Sequence, residues 1–296
     1  MMVGFSNERK GKMKFQRATK QQSRLRLAIF GPSGAGKTFS ALRIASGLGG
    51  KIAVIDTERG SASKYADRFE FDTLDLPKFD IATYVEAIKA AGGYNVLIID
   101  SLTHGWYELL SEVEKIARSK YSGNTWSAWS EGTPMQRQLV DALLAFDGHI
   151  IATMRSKTEW TLTKDEKGRN KPERVGLAPE QGKGIEYEFD ILLEMTTDHI
   201  ASVTKDRTGK FQDAIMEMPG EGFGQELAAW LGVGEPIATE EQKTKIKELM
   251  VASNAKFSEV AAINEALAKR GYRPIDRLFK SEAETLIATM SKGKEA

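Results

Sequence analysis

Five short apolar runs punctuate the chain: "RLRLAIF" (24–30), "KIAVID" (51–56), "NVLIID" (95–100), "HIIATM" (149–154) and "FDILLEM" (189–195). Each is nearly continuous rather than alternating, the pattern of a strand covered on both faces. Helical spacing fills the gaps. "KTFSALRIASGLGG" (37–50) stops on glycine. "DIATYVEAIKAAGG" (80–93) sets Ile81, Tyr84, Val85 and Ile88 on one face behind a candidate Asp80 cap. Helix is expected after the third run to about Lys120, and "YSGNTWSAWSEG" (121–132) has loop composition. "TPMQRQLVDALLAFDG" (133–148) reads as a helix with a Thr cap and proline at its first position. "HIASVTKDR" (199–207) begins an antiparallel continuation of the fifth run. Strands alternating with helices predict an α/β fold with a mainly parallel sheet flanked by helices.

Three regions are expected: an arm over 1–22, a core over 23–232, and a small helical region over 239–296 after the linker "LGVGEPIATEEQ". The chain of 296 residues is long enough for one large and one small unit. There is no run of 18 apolar residues and no apolar core near the N-terminus, so no membrane span is expected and a cytoplasmic location is. Cysteine is absent, which excludes disulfides and thiolate chemistry. His104, His149 and His199 are too far apart, without clustered carboxylates, to read as a metal site.

The net charge is only +1, but it is unevenly spread. Residues 1–26 hold eight Lys/Arg against Glu8, while the rest holds 34 basic and 40 acidic residues. A basic arm on a slightly acidic body fits a polyanion contact and equally a solvated tail.

"GPSGAGKT" (31–38) follows a strand, precedes a helix and matches G-x-x-x-x-G-K-[ST]. Its glycines let backbone amides turn inward on a phosphate, and the helix N-terminus adds positive potential. Gly31, Pro32, Ser33, Gly34, Ala35, Gly36, Lys37, Thr38 and Phe39 are therefore the expected ATP-binding residues. Lys37 is expected on the β/γ-phosphates, and the Thr38 hydroxyl on Mg²⁺ with Asp100 behind it. Asp100 could instead cap the following helix. Guanine specificity is not expected, since "TKDR" has arginine where N/T-K-x-D needs aspartate.

"VLIIDSL" resembles the RecA-like ATPases, whose strand also reads apolar–Asp–Ser. The resemblance implies that the catalytic glutamate follows the strand after the P-loop helix. "IAVIDTERG" puts Glu58 there. A loop glutamate paired with Arg59 or Lys64 is the plainer alternative. "VTKDRTGKF" is similar to the K-x-R-x-G stretch of the RadA and KaiC branch. It implies that Lys205 and Arg207 complete a neighbouring subunit's site, in a homo-oligomeric ring or filament, although an ordinary basic hairpin turn reads the same. "FQRAT" contains the F-x-x-A pattern with which recombinases dock on the next protomer, through Phe15 and Ala18 here. Over about residues 15–231 the layout looks most like the small RecA-like ATP-binding proteins of bacteriophages. A phage-encoded chain would act in the host cytoplasm. One departure is "TMRSK", which has no Asn or Gln sensor and leaves the role to Thr153 or Arg155.

In that family the segment after the fourth strand binds DNA. Here 155–174 holds Arg155, Lys157, Lys164, Lys167, Arg169, Lys171 and Arg174 against four acids, with Trp160 among them, and reads as a β-hairpin with a polar tip. Trp126 and Trp129 stand in the other expected loop position. Cations on phosphates and rings on bases would hold single-stranded DNA, while tryptophans more often pack into a core. The expected function is a Mg²⁺-dependent, DNA-stimulated ATPase acting on single strands in recombination or annealing. The alternatives are a helicase-loader or motor ATPase acting on a protein partner, and a nucleotide-gated scaffold whose C-terminal helices bind a partner. Ser101, where an acid is usual, counts against an AAA+ version of the motor reading.

Overall fold

In a computed structural model, which describes residues 23–164, 170–232, 238–253, 255–275 and 278–292, all five apolar runs are strands. The strands are β1 (Arg26–Gly31), β2 (Ile52–Asp56), β3 (Asp72–Asp75), β4 (Val96–Asp100), β5 (His149–Lys164), β6 (Asn170–Pro179), β7 (Ile191–Met195), β8 (Ile200–Asp206) and β9 (Ile215–Glu217). They form one nine-stranded sheet in the order β3-β2-β4-β5-β1-β7-β8-β9. The first six strands in that order are parallel, and β8 and β9 add antiparallel. β6 pairs with β5 outside this path.

Because successive strand residues face opposite ways, each central strand feeds two cores. Ala28, Phe30, Ile55, Leu97, Ile99 and Ala152 face α2 (Ile81–Ala90), α3 (Leu102–Lys120) and α4 (Thr125–Ala145). Leu27, Ile29, Val54, Ile98 and Ile151 face α1 (Lys37–Leu48) and α5 (Glu221–Gly232). Burying a leucine or isoleucine on either face contributes about 1.5–3 kcal/mol. Asp80 caps α2 as expected, accepting from the Thr83 amide at 2.9 Å.

Two expectations are corrected. The segment 121–132 is not a loop, because α4 starts at Thr125 on an Asn124 cap and takes Pro134 into its interior. Tertiary packing outweighs the proline's cost there. Trp129 stacks on Trp106 with ring centroids 5.8 Å apart, and a Cβ on Gly132 would come within 2.5 Å of Val113. Trp129 is thus a packing residue, while Trp126 is 88% exposed.

The basic arm does not extend to Arg26, which is buried in β1. Its guanidinium donates to the carbonyls of Leu25, Leu144, Phe146 and Gly148, closing the end of α4. Burial lowers its pKa to about 10 despite the pull of Asp190. Arg24 is also drawn into the fold, pairing with Asp147 at 3.3 Å.

β3 is an addition that the apolar pattern does not announce, an edge strand exposed at every residue. The expected hairpin over 155–174 is present: β5 runs on from the sheet and pairs with β6 from Ser156↔Pro179 to Lys164↔Asn170, with a bulge between Glu159 and Trp160. No helix among the described residues is long and apolar enough to cross a membrane.

Residues 23–231 make one compact unit. Beyond it, α6 (Glu240–Ser253), α7 (Val260–Lys269) and α8 (Lys280–Lys292) have a core of their own, including Ile246, Met250, Ile263, Leu267 and Leu286. Thr239 and Gln242 exchange side-chain-to-amide hydrogen bonds at 3.2 and 3.0 Å, a capping box that starts α6.

Candidate active site

β1 ends at Gly31, and the chain turns through 32–36 into α1. Gly34 and Gly36 hold φ values of 80° and 87°, which side-chain-bearing residues rarely adopt. The turn opens on a cleft of about 1010 Å³. Pro32 through Ser40 line it, with Glu58, Ser61, Tyr65, Arg68, Asp100, Arg155, Ser156, His199 and Met218. The parallel strands bring β1, β2, β4 and β5 to this one carboxyl-terminal edge, where ligands of such sheets bind.

Lys37 donates to the carbonyls of Gly31 and Pro32 at 3.0 and 2.8 Å. Its pKa is lowered by burial, against the opposing pull of Asp100 and Glu58. Thr38 donates to Asp100 Oδ2 at 2.5 Å, and Thr153 donates to Asp100 Oδ1. Asp100 is 2% exposed, and its burial raises its pKa in spite of both hydroxyls. A buried carboxylate held by hydroxyls beside a phosphate-type loop fits a hydrated divalent cation, which would offset the desolvation. The residues therefore fit a Mg²⁺-nucleotide.

The Glu58 amide donates to Asp56 Oδ1 at 2.6 Å, which sets the turn after β2. The Glu58 carboxylate lies 3.5 Å from Arg155 Nη2. The alternative partners Arg59 and Lys64 are not the ones found; Glu58 pairs with Arg155, from β5. Arg155 also reaches His104 Nε2 at 2.9 Å, and His104 Nδ1 lies 2.7 Å from the Thr57 hydroxyl. Thr57 receives the Ser101 amide at 2.8 Å and lies 3.1 Å from the Asp100 carbonyl. Of the two sensor candidates, Thr153 meets Asp100 and Arg155 meets Glu58.

The sequence reading set His104 and His199 aside and did not single out Thr57 or Tyr65. His104 stands on the first turn of α3, and no local signal marks it, because its partners come from β5 and the residue after β2. Tyr65 lies 5.4 Å from the Phe39 ring and walls the far end of the cleft with Arg68. His199, at φ 63°, brings Nδ1 within 3.1 Å of the Ala35 carbonyl.

Lys205 and Arg207 lie elsewhere. Lys205 is in register with Leu192, which is in register with Ala28, about 10 Å short of the P-loop along β1. Lys205 donates to the carbonyls of Glu186 and Tyr187 at 2.7 and 3.1 Å, and Arg207 to that of Tyr187 at 2.5 Å. Both face the amino-terminal edge, away from their own cleft.

Among the DNA candidates, Lys157 donates to the Gln181 carbonyl at 3.3 Å, close to the cleft. The side chains of Trp160, Lys164 and Lys171 lie outside the described residues. Lys167, Arg169, Phe15 and Ala18 lie outside them altogether.

A family model described as an AAA domain matches residues 23–215. None of the curated proteins matches the chain. A solved structure described as a prototypical ATPase from the type III secretion system of pathogenic bacteria is similar over 90% of this chain and 79% of that one. The identity is 14% and the TM-score 0.32.

Proposed function

The chain belongs to the AAA domain family of P-loop ATPases, and from that premise we propose that it hydrolyses ATP with Glu58 as base and couples hydrolysis to single-stranded DNA. The observation that carries the coupling is the continuity of β5. One strand starts in the central sheet at His149, passes Arg155 beside Glu58, and runs on as the outer hairpin to Lys164. The hairpin's cations would engage backbone phosphates, and their displacement would reach Glu58 through Arg155.

At the cleft, Lys37 and the turn amides would hold the phosphates. Thr38, backed by Asp100, would hold Mg²⁺, which when bound supplies charge neutralisation at the transferred phosphoryl group. Glu58 takes the proton of the attacking water as hydrolysis proceeds. Tyr65 and Phe39 offer an apolar wall to the base.

The reading extends to a RecA-like assembly of the phage recombination and annealing type. Lys205 and Arg207 face away from their own cleft, which supports a role in a neighbouring copy's site, where two cations would stabilise the developing charge.

The test is steady-state ATP hydrolysis with and without single-stranded DNA over a range of protein concentrations, with Glu58→Gln alongside. DNA stimulation that rises cooperatively with protein, and is absent from the variant, is the expected result. A rate indifferent to DNA would move the assignment to a motor or loader acting on a protein partner. Full turnover by Glu58→Gln would remove the base assignment.

A further inference from the structure

His104 has both ring nitrogens committed. Arg155 is a cation without an acceptor, so the 2.9 Å contact requires His104 Nε2 to accept. The remaining proton then sits on Nδ1 and is donated to the Thr57 oxygen 2.7 Å away. Thr57 can receive it. Its oxygen accepts from His104 and from the Ser101 amide, and its own proton points to the Asp100 carbonyl. The imidazole face stacks on Phe79, with ring centroids 5.2 Å apart and an interplanar angle of 24°. Edges and face together leave the ring one orientation and one tautomer.

The chain of contacts joins three strand tips. Thr57 and Glu58 follow β2, Asp100 and Ser101 end β4, and Arg155 stands on β5. His104, on the first turn of α3, is the piece between Thr57 and Arg155. Without it the half-exposed guanidinium keeps, among the described residues, only the 3.5 Å contact to Glu58.

We propose that His104 is a positioning residue for hydrolysis: as the neutral Nδ1–H tautomer it anchors Arg155 to the Thr57 hydroxyl, and so fixes where Arg155 holds the Glu58 carboxylate. The inference rests on Glu58 being the base. A proton on Nε2 would face the Arg155 guanidinium and break the anchor. The charged groups facing the ring are Arg155 on β5 and Glu58 after β2. Burial, and then Arg155, lowers the His104 pKa, with Glu58 opposing, so the anchor is intact at neutral pH.

Three variants and one spectrum test it. His104→Phe keeps the stack on Phe79 but loses both hydrogen bonds, and kcat is expected to fall about tenfold with KM for ATP within about twofold. His104→Gln keeps an oxygen for Arg155 and is expected to restore most of that loss. Wild-type kcat falls as the pH drops below the ordinary histidine value, and His104→Gln lacks that limb. Long-range ¹⁵N–¹H spectra of the wild-type protein show the proton on Nδ1. Glu58→Gln is measured in parallel. If it is inactive while His104→Phe keeps wild-type kcat and the wild-type acid limb, the anchor is wrong and the base assignment stands. A proton found on Nε2 also overturns the anchor, even if His104→Phe fails to fold. If Glu58→Gln turns over normally, the base assignment falls and takes this proposal with it.

Discussion

Thr38 and Asp100 stand 62 residues apart in the chain and meet through one short hydrogen bond, hydroxyl to Oδ2 at 2.5 Å. The pairing joins the first turn of α1 to the end of β4. It places the one deeply buried carboxylate among the described cleft residues behind the hydroxyl that the motif assigns to the metal.

Asp100→Asn preserves the shape of this pairing and removes its charge. Burial raises the Asp100 pKa, so the folded state holds the proton more readily than the unfolded one. Stability linked to this group therefore falls as pH rises through its unfolded value, about 3.9, and is lowest once the carboxylate is ionised. The amide is expected to melt at the same temperature or higher at pH 7, while ATP turnover drops about 100-fold. A melting temperature several degrees lower by calorimetry would show that the charge itself supports the fold.

His149 gives the opposite pH sign. Its Nδ1 accepts from the Leu25 amide at 3.0 Å, and burial lowers its pKa from 6.5 to about 4. The unfolded chain takes up this proton first on acidification. The stability is thus fully present above about pH 6.5 and is lost as pH falls toward 4, by about 3 kcal/mol. Denaturant unfolding at pH 7.5 and 4.5 measures it, and His149→Asn is expected to show a shallower loss.

Gly47 on α1 and Gly224 on α5 let two backbones touch. A Cβ on Gly47 would strike the Glu221 carbonyl, and one on Gly224 would strike the Ile44 carbonyl. Gly47→Ala and Gly224→Ala are each expected to lower the unfolding free energy by about 2 kcal/mol. The double variant should lose less than the sum, because both force apart the same helix pair. Strict additivity in urea titrations would mean the two sites act separately.

Arg207→Ala and Glu58→Gln test the shared-site reading when mixed. Each alone is expected to be nearly inactive. Combined in equal amounts, random neighbours restore about a quarter of the sites, because one copy keeps its glutamate and the next keeps its arginine. Mixtures no more active than either variant alone would confine Arg207 to its own chain.

The sequence made parts of this legible for local reasons. The P-loop, Glu58 and Asp100 are each announced by a short apolar strand and the residues directly after it. His104 is not, since its meaning depends on Thr57 and Arg155 arriving from two other strands. The Trp126–Trp129 segment misleads because serine and glycine imply a loop, whereas Gly132 is there to let α4 lie against Val113. β3 has no apolar face to advertise it, and the backbone pairing from Ala53↔Asp72 to Asp56↔Asp75 holds it in place. Arg26 looks like one more cation in a basic run until its guanidinium is seen to close a helix.

The bulge between Glu159 and Trp160 gives β5 a mechanical consequence. Up to Glu159 the strand behaves as a stiff beam, clamped by β1 and β4 and then by β6. Beyond it, the broken ladder is the compliant joint. A load at the far end of the hairpin bends that joint and is absorbed there. A load between Ser156 and Glu159 twists the beam and moves Arg155. Under the proposed DNA coupling, leverage on the cleft would grow toward its rim, and Lys157, two residues from Arg155, would carry more of the signal than positions beyond the bulge.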